Sequence, residues 1–163
     1  MLDEATLDEA ASLLTALQAK GLTLATAESC TGGLIAAALT SIPGSSATLL
    51  AGYVTYSNAA KTRLVGVAPA LFASHGAVSE PVARQMAQGA LADAGADIAV
   101  ACTGVAGPSG GSPDKPVGLV YIGCARRGHE TRVERHVFPG DRTAIRAATV
   151  TVAFAMIRAA LEE

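Results

Sequence analysis

The chain has 163 residues, of which half are apolar and 16% are charged, with a net charge of −2. That length is one domain's worth and buries a core unaided, and the composition excludes intrinsic disorder. With a pI of about 5.9, the chain has no overall field to draw polyanions, so nucleic-acid binding has no global support.

Residues 3–19 place Leu7, Leu13, Leu14 and Leu17 roughly at helical spacing, and Gly21 stops the helix. Leu22–Ala27 reads as a short buried strand. Thr31–Thr40 reads as a helix entered through a Gly pair and ended by Pro43-Gly44. Leu50–Tyr56 is β-like, and Asn58 caps a helix through Leu64. Ser79-Glu80-Pro81 opens a helix to about Ala94, with Ser79 as the cap and Pro81 in its first turn. Ile98–Thr103 is a third strand. Gly104 to Pro116 is a Gly- and Pro-rich loop. Val117–Ala125 and Thr131–Phe138 form a hairpin around Arg126-Arg127-Gly128. Asp141 caps a last helix to Leu161.

Strands alternating with helices predict an α/β fold, a three-layer α/β/α sandwich. The late hairpin makes its sheet mixed, though mostly parallel. No repeat or linker divides residues 1–163, so one domain is expected. Alanine supplies 35 of the residues, which suits close-packed helices over a sheet. The three cysteines, Cys30, Cys102 and Cys124, lack disulfide or zinc spacing and read as reduced, cytosolic thiols. No His/Asp/Glu cluster has metal-ligand spacing, and neither a metal nor a cofactor is expected. The acidic N-terminus is no signal peptide. The longest apolar helical stripe, Ala147 to Ile157, falls short of the ~20 residues of a membrane span. The expectation is therefore a cytoplasmic protein without a membrane helix.

Ligands in such sheets sit off the carboxyl ends of strands. Three loops qualify, after Ala27, Tyr56 and Thr103. In Ala27-Glu28-Ser29-Cys30-Thr31-Gly32-Gly33 a serine stands at a strand-to-helix turn, where free N–H groups can hold an oxyanion or a phosphate. The plain alternative is that Ser29 or Thr31 is only an N-cap. Cys30 is a rival nucleophile, but a small buried thiol is its simpler role. In Tyr56-Ser57-Asn58-Ala59-Ala60-Lys61 the lysine is either solvated or, if buried beside a serine, a general base. Tyr56 can relay a proton between them. Ser, Lys and Tyr make a nucleophile set without histidine, and His75, His129 and His136 all read as surface residues. The loop after Thr103 is not a Walker A loop. It either lines a ligand with its amides or is only a Gly-rich surface loop. Arg142, with Arg146 one turn on, opposes the helix dipole, which suggests a grip on phosphate or carboxylate or else an ion pair.

Together the strings AESCTGG (27–33), PGSS (43–46), GYVTYSNAAK (52–61), HGAVSEP (75–81), TGVAGPSGG (103–111), KPVG (115–118) and FPGDR (138–142) resemble the CinA C-terminal-domain family, the nicotinamide-nucleotide amidases. The resemblance runs from about residue 5 to the end and is to the stand-alone form, without the molybdopterin-binding-like domain of longer members. It implies an amidohydrolase that converts nicotinamide mononucleotide to nicotinate mononucleotide and ammonia in pyridine-nucleotide salvage. It also implies Ser29 as nucleophile, with Tyr56 and Lys61 as the activating pair. Substrate would be bordered by Cys30, Thr31, Gly32, Thr103, Gly104 and Arg142. The expected partners are the nucleotide substrate and further copies of the chain, a homodimer or higher, with no nucleic acid and no membrane. The rival readings are hydrolysis of a different amide and a non-catalytic nucleotide-binding or protein-interaction module linked to competence or DNA-damage responses.

Overall fold

The computed structural model describes residues 2–163. Its centre is a five-stranded sheet in the order β2-β1-β3-β4-β5, formed by β1 (Leu24–Glu28), β2 (Leu49–Val54), β3 (Ile98–Gly104), β4 (Leu119–Arg126) and β5 (Arg132–Val137). β1 pairs in parallel with both β2 and β3. β4 pairs antiparallel with β3 and with β5, so β4 alone runs against the rest. The sheet is mixed, with two parallel and two antiparallel pairings.

Side chains on a strand alternate between the two faces of a sheet, and here the alternation separates two cores. Leu24, Ile98, Val100, Cys102, Val120 and Ile122 face one side. They meet α1 (Glu4–Ala19), α2 (Leu34–Thr40) and α6 (Arg142–Leu161). Ala25, Ala27, Ala99, Ala101 and Ala125 face the other. That face is covered by α3 (Asn58–Val65), α4 (Pro69–His75) and α5 (Glu80–Ala94). The alanines let α5 lie close to the sheet. A Cβ added at Gly123 would stand 2.7 Å from the carbonyl oxygen of Ala83 on α5.

Several local expectations are corrected. α2 begins at Leu34 rather than Thr31, because Gly32 and Gly33 take left-handed backbone conformations, with φ of 59° and 101°, that a helix does not accommodate. Ser57, not Asn58, caps α3, its hydroxyl accepting from the Ala60 N–H. Ser79 occupies the N-cap position of α5 but donates its hydroxyl to the Gly76 carbonyl. Asp141 does cap α6, accepting from the Ala144 N–H. A short turn over Ser45–Ala47 and helix α4 are additional elements. α6, at 20 residues, is long and apolar enough by length and composition to cross a membrane, beyond the 11-residue stripe read in the sequence. In the fold it lies on β3 and β4 as a core helix, burying Ile145, Val150, Phe154 and Ile157.

The chain leaves β1 through α2 on one face to reach β2. It returns through α3, α4 and α5 on the other face to reach β3. The crevice at the carboxyl ends of β1 and β3 is therefore a topological switch point.

Candidate active site

A cavity of about 260 Å³ opens at that switch point. Ser29 follows the last residue of β1 and is fixed there by its N–H, which donates to the Cys102 carbonyl of β3 at 3.1 Å. Lys61 comes from the opposite helical layer, on the first turn of α3. Its whole side chain is taken out of solvent, with 1% exposure. Its Nζ lies 3.0 Å from Ser29 Oγ and 2.8 Å from the Thr55 carbonyl oxygen, with the Tyr56 carbonyl at 3.5 Å. The solvated reading of Lys61 is thereby overturned.

Burial holds the Lys61 ammonium below its ordinary pKa, because desolvation penalises the charged form. A neutral amine that donates its two N–H bonds to the Thr55 and Tyr56 carbonyls has its lone pair left for the Ser29 hydroxyl. Cys30 lines the same cavity, but its thiol is pushed well above its usual range by its hydrogen bond to Cys102 and by burial. That disfavours its thiolate, the form in which a cysteine attacks.

Tyr56 is placed differently from its expected relay role. The residue is 62% exposed at the cavity mouth, and its hydroxyl accepts from Arg142 Nη2 at 3.2 Å. The phenol makes no hydrogen bond to Ser29 or Lys61; only the backbone carbonyl of Tyr56 faces the lysine. Arg142 also donates from Nη1 to the Gly107 carbonyl. It therefore joins the rim to the loop after β3, and among the described residues no acidic side chain pairs with it. Thr103 and Gly104 line the cavity, and the Thr103 hydroxyl donates to the Ala77 carbonyl, drawing in the loop before α5. Thr31 and Gly32 fall outside the lining. Thr31 is fully buried, with its hydroxyl directed to Glu28 and Cys102, and Gly32 is on the outer side of the turn. Arg146 holds the turn rather than the cavity, donating from Nη2 to the Thr31 carbonyl.

Sequence reasoning missed Asn58 as a lining residue, along with Ala77, Val78 and Ala106. The HGAVSEP string had marked the Ala77-Val78 loop without indicating a role for it. Beyond Ala106 and Arg142 a second cleft of about 420 Å³ continues along Pro108, Val117 and Thr143.

A buried Ser–Lys pair thus stands beneath a rim arginine at the switch point of an α/β sheet. The chain belongs to the CinA C-terminal domain family, whose model matches residues 7–161. It is 53% identical to a CinA-like protein of Citrifermentans bemidjiense, over 96% of this chain and 37% of the relative. It is 50% identical to a putative competence-damage inducible protein of Symbiobacterium thermophilum, over 96% of this chain and 38% of that one. The chain thus spans well under half the length of these curated relatives. The crystal structure of the competence/damage inducible protein CihA from Agrobacterium tumefaciens superposes with a TM-score of 0.96 at 44% identity, covering 100% of this chain and 99% of that one. The competence damage-inducible protein A of Klebsiella pneumoniae gives 0.92 at 41% identity, covering 97% and 98%.

Proposed function

We propose that the chain is an amidohydrolase acting on nicotinamide mononucleotide, with Ser29 as nucleophile and Lys61 as its base. One observation carries the reading: a fully buried lysine with Nζ 3.0 Å from a serine hydroxyl at the floor of a cavity. A surface lysine has no reason to accept that desolvation, whereas a base must lose its proton near neutrality. The family resemblance supplies the substrate. The two adjoining clefts offer room for a ring at Ser29 and a ribose phosphate beyond Arg142.

Neutral Lys61 takes the Ser29 proton as Oγ bonds to the carboxamide carbon. The carbonyl oxygen becomes an oxyanion. Among the described residues the N–H group of Cys30, which lines the cavity, makes no backbone hydrogen bond, and one such donor is worth about 3 kcal/mol to a tetrahedral intermediate. The Lys61 ammonium returns its proton to the amide nitrogen as the C–N bond breaks, and ammonia leaves. Water, deprotonated by Lys61, then attacks the ester carbonyl and releases nicotinate mononucleotide and free Ser29. The pyridinium ring withdraws electrons from the carbonyl and aids both attacks. Tyr56 and Arg142 act at the rim, where the guanidinium meets the phosphate.

Ammonia release from nicotinamide mononucleotide tests this directly. Wild type is expected to release ammonia and Ser29→Ala none. Release by both would remove Ser29 from the reaction. Release by neither, from folded protein, would discard this substrate.

A further inference from the structure

Glu28 immediately precedes the nucleophile, yet it is 1% exposed and takes no place in the cavity. A buried carboxylate is costly unless donors satisfy it. Glu28 has four. Oε1 accepts from the Thr31 hydroxyl at 2.6 Å and from the Ile35 N–H at 2.8 Å. Oε2 accepts from the Ala36 N–H at 3.0 Å and from the Thr26 hydroxyl at 3.4 Å.

These contacts do a job that the N-cap of α2 leaves undone. The cap is Gly33, which has no side chain to offer. The first amides of α2 are therefore met by the residue just before Ser29, across the turn. The Glu28–Thr31 bond closes a ring of side chain and backbone in which Ser29 and Cys30 are the intervening residues. Thr31 is held on its other side by Arg146, through its carbonyl.

We infer that Glu28 is a positioning residue for the proposed reaction, setting Ser29 Oγ against Lys61 by tying the nucleophile turn to α2 through Thr31. The inference rests on Ser29 being the nucleophile. Near-attack geometry is sensitive to displacements of an ångström. Gln at position 28 keeps the shape but turns an amide NH₂ toward one of the N–H donors, which opens the clamp on that side.

The test compares turnover per reactive site. Active sites are titrated with a fluorophosphonate, which phosphonylates activated serines, and the labelled peptide is identified by mass. Wild type is expected to label at Ser29 and to release ammonia. Glu28→Gln is expected to lose roughly 10- to 100-fold in kcat per titrated site, with KM little changed. Thr31→Val should fall in the same direction, the double variant should be no worse than Glu28→Gln alone, and Thr31→Ser should recover most of the loss. Leu13→Ala, buried on α1 and outside the cavity lining, is the control for lowered stability and should keep kcat per titrated site. Full kcat per site in Glu28→Gln, or an equal loss in Leu13→Ala, overturns the positioning role and leaves the nucleophile standing. A wild type that neither labels at Ser29 nor turns over overturns the nucleophile, and the positioning role with it.

Discussion

On the proposed reading, Lys61 couples stability to activity through a single proton. Its pKa is held below the ordinary lysine value by burial, so the charged form is penalised in the native state. Between that depressed value and the unfolded value of ~10.4 the unfolded chain binds more protons, and stability rises with pH. In the proposed reaction activity follows the same sign, since only a neutral amine can take the Ser29 proton. The profile of kcat/KM should climb on an acidic limb and level at a midpoint below that of a free lysine. Lys61→Ala should lose turnover and the limb together. Full turnover by that variant at neutral pH, or a limb unmoved by the substitution, would end the base role. The Ser29–Lys61 pair was only half legible in the sequence. Both residue types were visible, but they stand 32 positions apart on opposite helical layers, and only the tertiary fold reveals the burial. Tyr56 shows the reverse: family position suggested a relay, and the fold directs its hydroxyl to Arg142.

At the scale of elements, what positions Lys61 is the crossing of α3 over α5. Gly89 makes that crossing: a Cβ there would stand 1.7 Å from the Val65 carbonyl oxygen at the end of α3. No rotamer relieves a clash with backbone, so α3 must shift. Gly89→Ala should cost about 1–3 kcal/mol, or about 2–4 °C in Tm for each kcal/mol in a chain of this size. It should also lower kcat, because α3 carries the base. A variant of unchanged Tm and kcat would show that α3 yields freely. Gly89 lies inside α5, and its close approach depends on a partner helix that its sequence neighbours do not announce. The same reason governs which elements the sequence declared. α1, α5 and α6 bury apolar stripes and are bounded by caps or glycines, so periodicity finds them. α4 buries none of its residues and leaves no periodic signal. The start of α2 was misplaced because the cap that matters is Glu28, which precedes Ser29 rather than adjoining the helix.

At the scale of the molecule, the sheet divides a large-side-chain core from an alanine core, and the site opens where the two helical layers part. Both walls of the cavity therefore belong to packed layers: Ser29 to the α2 side and Lys61 to the α3 side. Ligand that bridges them should stabilise the whole fold, since it binds the native state alone. Ser29→Ala separates this binding from turnover, because it keeps the rim and both clefts while removing the attacking oxygen. With nicotinamide mononucleotide at a hundred times its Kd, linkage supplies about 2.7 kcal/mol, which corresponds to a rise of about 5–10 °C in Tm. Nicotinamide alone at the same concentration, lacking the ribose phosphate that the proposal assigns to Arg142 and the outer cleft, should shift Tm much less. Equal shifts from the two ligands would place the binding energy in the ring pocket and take the phosphate away from Arg142. A shift with the mononucleotide in wild type and variant alike, with ammonia from neither, would describe a nucleotide-binding module built on the same scaffold. The buried lysine would then have no proton to move, and the limb in the pH profile would have nothing to report.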